Sequence, residues 1–335
     1  MIKDFETVNI VFNKSKYINE YDNLSIIDNH NPSVSGHSNK LKIKERYLSS
    51  IGEYYERKAC FCQFSKNGLC KNMIGLNLMD NSTFVVNKFD VDKHIYFSDT
   101  CGCACFMNSL DAIERAFFEF VERQSLIFSY LTKTFKYKII IEENLKKEII
   151  PFQLNYLEFY NISLIDSIFI VISVGIYNDN VNISLGAGYD IVSAIRKNVT
   201  EAMQIHLYYD LLDSYLVKKY SSSKKDYFEY FMDIDSNRIK KAYEFLDESK
   251  VIYLNKKCKK NNSFSKAVKE LNNKYQIEPI LFFLRNKDSF KVAKIIDFKW
   301  FPSLSPRAMS EEKIKNIEKI TGLTIDRKCN FIPFP

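Results

Sequence analysis

Apolar side chains recur at three- and four-residue intervals over residues 42–60, 109–131 and 192–216, the spacing that turns one stripe of an α-helix toward a core. Runs rich in β-branched and aromatic residues at 137–144, 167–176, 280–285 and 290–298 predict strands. Shorter helices are expected at 237–248, 263–274 and 310–321. The last opens on Ser310 ahead of Glu311 and Glu312, an N-cap followed by acids that suit the positive end of a helix. The class is α+β, with mixed β-sheets flanked by helices. The longest apolar stretch, 162–177, contains Asp166 and is rich in Ile, Val and Phe, so it reads as buried strand and no membrane span is expected.

Composition narrows this picture. Twenty-seven Phe and 21 Tyr against nine Gly and seven Pro leave few segments without something to bury, so an ordered fold is expected and no linker stands out. The N-terminus, Met1-Ile2-Lys3-Asp4-Phe5-Glu6, lacks the basic, apolar and small-residue order of a signal peptide, which predicts a cytoplasmic protein. The formal charge of +7 comes mostly from lysine scattered through the chain, with denser clusters at Lys218, Lys219, Lys224 and Lys225 and at Lys256, Lys257, Lys259 and Lys260. Such runs are commonly solvated faces, or attract acidic peptide. Aromatics do not alternate with them as a base-stacking platform requires, so no nucleic-acid partner is expected. The eight cysteines are expected to stay thiols. Cys60 and Cys62, and Cys101, Cys103 and Cys105, are separated by single residues where structural zinc sites favour wider spacing, and an extended 101–105 would put three thiols on one face as small apolar groups.

An internal repetition carries the chemistry. The first long helix contains Glu53-Tyr54-Tyr55-Glu56-Arg57 and the second Glu119-Phe120-Val121-Glu122-Arg123, the same Glu-x-x-Glu-Arg. Residues three apart lie about 60° apart around a helix, so each helix offers a carboxylate pair on one face, with the following Arg directed elsewhere. Ile51, Tyr54, Tyr55, Phe117, Phe118, Phe120 and Val121 make those faces otherwise apolar, and buried acids need compensating charge. Ordinary Glu–Arg ion pairs would satisfy this. So would convergence of Glu53, Glu56, Glu119 and Glu122 on magnesium, a hard cation shared between carboxylates and nucleotide phosphates, and the repetition favours that reading. A third helix follows Gly186-Ala187-Gly188 and carries Glu201 and Gln204, again three apart; the glycines suit a strand-to-helix turn with close backbone approach.

Taken in order, Ser-x-x-Glu-x-x-Glu-Arg at residues 50–57, Glu-x-x-Glu-Arg at 119–123, Gly-x-Gly and then Glu201 with Gln204 resemble the YcaO family. Ser38-Asn39-Lys40 resembles the family's Ser-Gly-Lys-Gly segment, with Asn39 and Leu41 replacing glycines. Thr100-Cys101-Gly102-Cys103-Ala104-Cys105-Phe106 aligns with its Ser-Asn-Gly-x-Ala-x-Gly, and Asp111 falls where it has an acid. Departures are Phe106 at a usual glycine, Met107 where Asn is common and His206 where Arg often follows the Gln. The resemblance runs from about residue 38 to the C-terminus. It implies a YcaO-like catalytic domain at 38–335 with a Pro-x-Pro tail, residues 1–37 being a strand and loop segment of the same domain.

The resemblance implies ATP and Mg2+ as cofactors and ATP-dependent cyclodehydration of Cys, Ser or Thr in a ribosomal precursor peptide, giving thiazolines or oxazolines. Glu53, Glu56, Glu119 and Glu122 would hold metal; Lys40, Ser50, Asp111, Arg123, Glu201 and Gln204 would meet the nucleotide; and Arg57 and Arg123 would contact phosphate or orient the acids. The ending Pro333-Phe334-Pro335 resembles a shortened form of the tail of azoline-forming members, which makes the Pro335 carboxylate a candidate base. The short region ahead of Ser38 leaves no obvious leader-binding module, so the expected partners are a leader-binding protein and, as an optional third member, a flavin dehydrogenase. Thioamide or amidine formation and a non-catalytic scaffold subunit are the rival readings.

Overall fold

In chain order the described residues form three short strands, β1 (Val8–Lys14), β2 (Asp22–Asp28) and β3 (Ser35–Ser38), then the first long helix, α1 (Ile43–Phe61). There follow β4 (Phe64–Ser65), β5 (Gly68–Leu69), β6 (Met73–Asn77), β7 (Thr83–Val86), the one-turn α2 (Val91–His94), β8 (Cys103–Phe106) and the second long helix, α3 (Ser109–Thr132). Next come β9 (Tyr137–Ile141), α4 (Glu143–Ile149), β10 (Glu158–Asn161), β11 (Phe169–Tyr177), β12 (Asn180–Gly188) and the third long helix, α5 (Ile191–Leu212). The remainder comprises α6 (Ser236–Ala242), β13 (Val251–Leu254), α7 (Phe264–Tyr275), β14 (Ile280–Lys287), β15 (Phe290–Ile296) and α8 (Glu311–Thr321). The computed structural model describes residues 8–14, 22–28, 34–38, 42–65, 68–151, 154–177, 180–212, 236–247, 250–255, 262–287, 289–305, 309–329 and 332–334. Lys40, Pro335 and both lysine clusters lie outside them.

Alternation along the strands sets the layers. In the sheet ordered β7-β6-β14-β15-β8, Phe282, Val292, Ile296 and Cys103 join Tyr54 and Tyr55 of α1 in one core, whereas their neighbours Leu281, Ala293, Ile295 and Ala104 join Phe117 and Phe120 of α3 in another. Successive strand side chains point to opposite faces, so α1 and α3 lie on the two sides of this one sheet. The far side of α1 is covered by the sheet β1-β2-β3, whose Leu24 and Ile26 enter the same core. The far side of α3 meets the sheet β12-β11-β10-β9-β13 through Ile170, Ile172 and Ile183, and the outer face of that sheet is closed by α4 and α5.

The long helices match their expected positions to within a residue or two over the described range. Asn108 caps α3 by accepting from the Asp111 N–H, and Ser310 caps α8 by accepting from that of Lys313. Three strand expectations need correction. The run 137–144 stops at Ile141, because Glu143 opens α4; 290–298 ends at Ile296; and in 162–177 the strand begins only at Phe169, with Asp166 on the preceding loop paired to Lys136 and Lys274. Cys101 also falls outside its strand, since β8 starts at Cys103, so only Cys103 and Cys105 share a face there. The seven described cysteines are free thiols, and no described helix is long and apolar enough to cross a membrane.

Candidate nucleotide and metal site

Because β8 is the edge strand of the sheet between them, α1 and α3 bring their acidic pentads together around that edge. Glu56 is half-buried, and its carboxyl is pushed well above the usual range by burial, then by Cys60, Glu119 and Glu53, with Arg57 opposing. Glu122 is buried and pushed up to about 8 by burial and by Glu119 and Glu201, with Arg123 and Lys197 opposing. Carboxylates from α1, α3 and α5 thus lie within electrostatic reach of one another.

The arginines differ from expectation. Each folds back one turn onto the first Glu of its own pentad: Arg57 Nη2 donates to Glu53 Oε1 at 2.6 Å, and Arg123 Nε to Glu119 Oε1 at 2.8 Å. The i,i+4 geometry makes this possible, since residues four apart are stacked neighbours on a helix. Ordinary Glu–Arg ion pairs therefore form at Glu53 and Glu119, while Glu56 and Glu122 have no such pair among the described residues. Arg123 also lies 4.7 Å over the ring of Phe334, and its Nη1 is buried with no hydrogen-bond partner among the described residues.

The remaining candidates are distributed as follows. Ser50 is fully buried, and its hydroxyl donates to Leu24 O at 2.9 Å, tying α1 to β2. Asp111 sits at the start of α3, where its carboxylate accepts from Asn108 Nδ2 at 2.7 Å in a cap. Glu201 pairs with Lys197 one turn earlier on α5, and Gln204 is half-buried on the same helix. The tail ahead of Pro335 is held in place: Ile332 and Phe334 are buried, and Tyr243 donates to Pro333 O at 2.9 Å.

Sequence reasoning does not pick out Ser35, His37, Lys197 or Lys294. Lys197 stands four residues before Glu201, a spacing that signals a helical ion pair, but its approach to Glu122 depends on the packing of α5. Lys294 is fully buried in β15 and donates to Asp99 O and Cys101 O, both at 2.8 Å, fixing the loop ahead of β8. Nothing in its local sequence distinguishes it from a solvated strand lysine.

Among the described residues, no three His, Cys, Asp or Glu side chains stand gathered as a finished metal cage. The donor set nonetheless fits magnesium with a nucleotide. Magnesium takes only one or two carboxylates and completes its shell with water and phosphate oxygens. Glu56 and Glu122 stay above the ordinary carboxylate range despite the nearby Arg57, Arg123 and Lys197, and Arg123 Nη1 has no acceptor among the described residues, so a dication and an anion would satisfy both deficits.

Paired acidic helices wrapped around one sheet edge, with a surplus of carboxylate and an orphaned guanidinium nitrogen, are the makings of a dication and phosphate site. The family model described as YcaO cyclodehydratase, ATP- and Mg2+-binding, matches residues 70–277, more than half of the chain, and the protein belongs to the YcaO family. ATP and Mg2+ are therefore the cofactors this site has to accommodate. A comparison with curated proteins finds no match. Among solved structures, a chain of the E. coli microcin synthetase McbBCD complex superposes with a TM-score of 0.68 at 19% identity, covering 98% of this chain and 96% of that one. YcaO from Methanopyrus kandleri, bound with AMPPCP and Mg2+, superposes with a TM-score of 0.64 at 13% identity over 93% and 90% of the two chains. A heterocyclase in complex with substrate and cofactor gives 0.66 at 12% identity, covering all of this chain and 56% of its own. At these identities the likeness is one of fold.

Proposed function

We propose that this protein is the catalytic subunit of a peptide synthetase and converts Cys, Ser or Thr residues of a ribosomal precursor peptide to thiazolines or oxazolines in an ATP-dependent cyclodehydration. The observation that carries the reading is the meeting of the two Glu-x-x-Glu-Arg helices around β8, where Glu56 of one and Glu119 of the other interact. Bound there, ATP with Mg2+ supplies the phosphoryl group that makes the amide oxygen a leaving group, together with the positive charge that steadies the phosphates.

The chain's own residues hold and orient. Glu53, Glu56, Glu119 and Glu122 are the proposed magnesium ligands. Arg57 and Arg123 keep the first carboxylate of each pair aimed, and Arg123 Nη1, with no acceptor among the described residues, is left to meet an anion. Glu201 and Gln204 are assigned to the nucleotide from α5, and Lys40, Ser50 and Asp111 complete the proposed contacts, Ser50 and Asp111 through backbone they hold in place. Anchoring of residues 332–334 supports the proposal that the Pro335 carboxylate acts as base on the reacting amide. Residues 1–37 belong to the same domain as 38–335 in this proposal, supported by Leu24 and Ile26 sharing a core with α1. A leader-binding partner, and in some assemblies a flavin dehydrogenase, would act with it in the cytoplasm.

The test is the intact mass of the precursor peptide after incubation with this protein, its partner and Mg-ATP, beside a Glu56→Gln control. Loss of one water per modified residue, absent from the control, is the expected result. Replacement of oxygen by sulfur would select thioamide formation, and an unchanged peptide with no ATP uptake would point to a scaffold.

A further inference from the structure

A closed ring of hydrogen bonds supports one member of the acidic site, and it involves two residues of β3. Gly36 lies so close to α1 that a Cβ there would stand 1.9 Å from Ser50 O and 2.7 Å from Tyr54 N. Absence of a side chain at this position lets the strand backbone touch the helix, which delivers Ser35 and His37 to the turn carrying Glu53 and Arg57. The His37 backbone N–H donates to Glu53 Oε2 at 2.6 Å, while Arg57 Nη2 donates to Glu53 Oε1 at 2.6 Å. Arg57 Nη1 donates to Ser35 Oγ at 2.9 Å, and Ser35 Oγ is 3.0 Å from His37 Nε2. The other ring nitrogen, Nδ1, is 2.9 Å from Ser25 Oγ on β2.

A guanidinium can only donate, so Ser35 Oγ accepts from Arg57 and still has a hydrogen to offer His37 Nε2. With a neutral imidazole protonated on Nδ1, that hydrogen goes to Nε2 and the Nδ1 proton to Ser25 Oγ. Burial, which pushes His37 down to about 4, agrees with a neutral ring. Both oxygens of Glu53 are held from two directions, and each keeps a lone pair for a further partner. The second pentad has no such support, for Arg123 Nη1 finds no acceptor among the described residues.

We infer that Ser35 and His37 are positioning residues for Glu53, holding it directly and through Arg57 in one rotamer before magnesium and nucleotide bind. The inference rests on the proposed role of Glu53 as a metal ligand. Groups that orient a ligand from behind typically change metal affinity by about 10–100-fold when removed.

The test is a double-mutant cycle read by calorimetry, with ATP titrated into the full chain at fixed Mg2+ for the wild type, Ser35→Ala, Glu53→Gln and the double variant, and with thermal melts run alongside. Ser35→Ala is expected to weaken Mg2+-dependent ATP binding by about 10-fold. In the Glu53→Gln background it should have almost no further effect. His37→Phe should behave as Ser35→Ala does, whereas His37→Gln, whose amide oxygen can still accept from Ser35, should recover most of the binding. Equal losses in both backgrounds, or no loss in either, would overturn the inference and leave the wider functional reading intact. A folded wild-type chain that takes up no Mg-ATP would overturn that reading, and this inference with it.

Discussion

Glu56 and Glu122 occupy the same place in the two pentads, and both are held above the ordinary carboxylate range by burial and by neighbouring acids. Neutralising either should relieve the apo protein while depriving the proposed magnesium site of one of its proposed ligands. Glu56→Gln and Glu122→Gln are therefore expected to leave the melting temperature unchanged or raised, yet to lower peptide dehydration by more than about 100-fold, beyond what loss of a merely supporting group causes. Thermal melts and peptide mass measured on the same preparations would separate the two effects. Glu270 is the contrasting case. Burial alone would raise its carboxyl, but Lys274, the Ser167 hydroxyl and the N–H groups of Asp166 and Ser167 bring it down to about 2. Its folded pKa is depressed, so its stabilisation is full above about 4.5, the ordinary value, and is lost as pH falls through about 2. Glu270→Gln should cost about 2 kcal/mol at pH 7, as expected for hydrogen bonds to a charged group, with the gap to wild type closing in acid urea titrations.

At the level of elements, the long helices and their caps are legible because a 3.6-residue period over five or more turns admits one reading, and Ser310 before two glutamates is a start signal of its own. The strand β12 is not legible in the same way. Val181, Ile183 and Leu185 alternate with Asn182, Ser184 and Gly186, a pattern that resembles a strand with one wet face, yet Asn182 and Ser184 are both buried beneath α5. Ser184 is satisfied internally, its Oγ lying 2.8 Å from Ser173 Oγ and 3.1 Å from Asn198 Oδ1, while Asn198 Nδ2 donates to Val171 O and Ser184 O; Asn182 Nδ2 donates to Ala202 O, and its Oδ1 has no partner among the described residues. Gly186 sets the contact distance, for a Cβ there would meet Ala194 O at 2.2 Å and Asn198 N at 2.3 Å. Gly186→Ala must push α5 off its sheet. A loss of about 3 kcal/mol in urea midpoint analysis, or failure to fold, is expected.

Across the whole molecule, the features that escape the sequence are those built by contacts between distant segments. Pro333 meets Tyr243 and Phe334 meets Arg123, separations that no local pattern encodes, although the proline-flanked ending marks the segment as unusual. The four pentad carboxylates are legible because repetition is visible without a structure, whereas Ser35 and His37 gain their places only when β3 docks on α1. Phe334→Ala should cost about 3 kcal/mol as a buried aromatic truncation, and Tyr243→Phe about 1 kcal/mol for one lost hydrogen bond. If the anchored tail serves the site, Phe334→Ala should also weaken ATP binding, which calorimetry on the folded variant would detect.

Strand β8 has a further consequence through its pairing with β15, in which Ala104 faces Ala293 and Cys103 faces Lys294. The strand has four residues, and its side chains alternate between the α1 core and the α3 core. A slip of one position would exchange those two sets and carry both acidic helices out of alignment together. Lys294, clamped to the carbonyls of Asp99 and Cys101 just ahead of the strand, works like the pin of an indexing plate: it admits one setting, and that setting aligns both halves of the site at once.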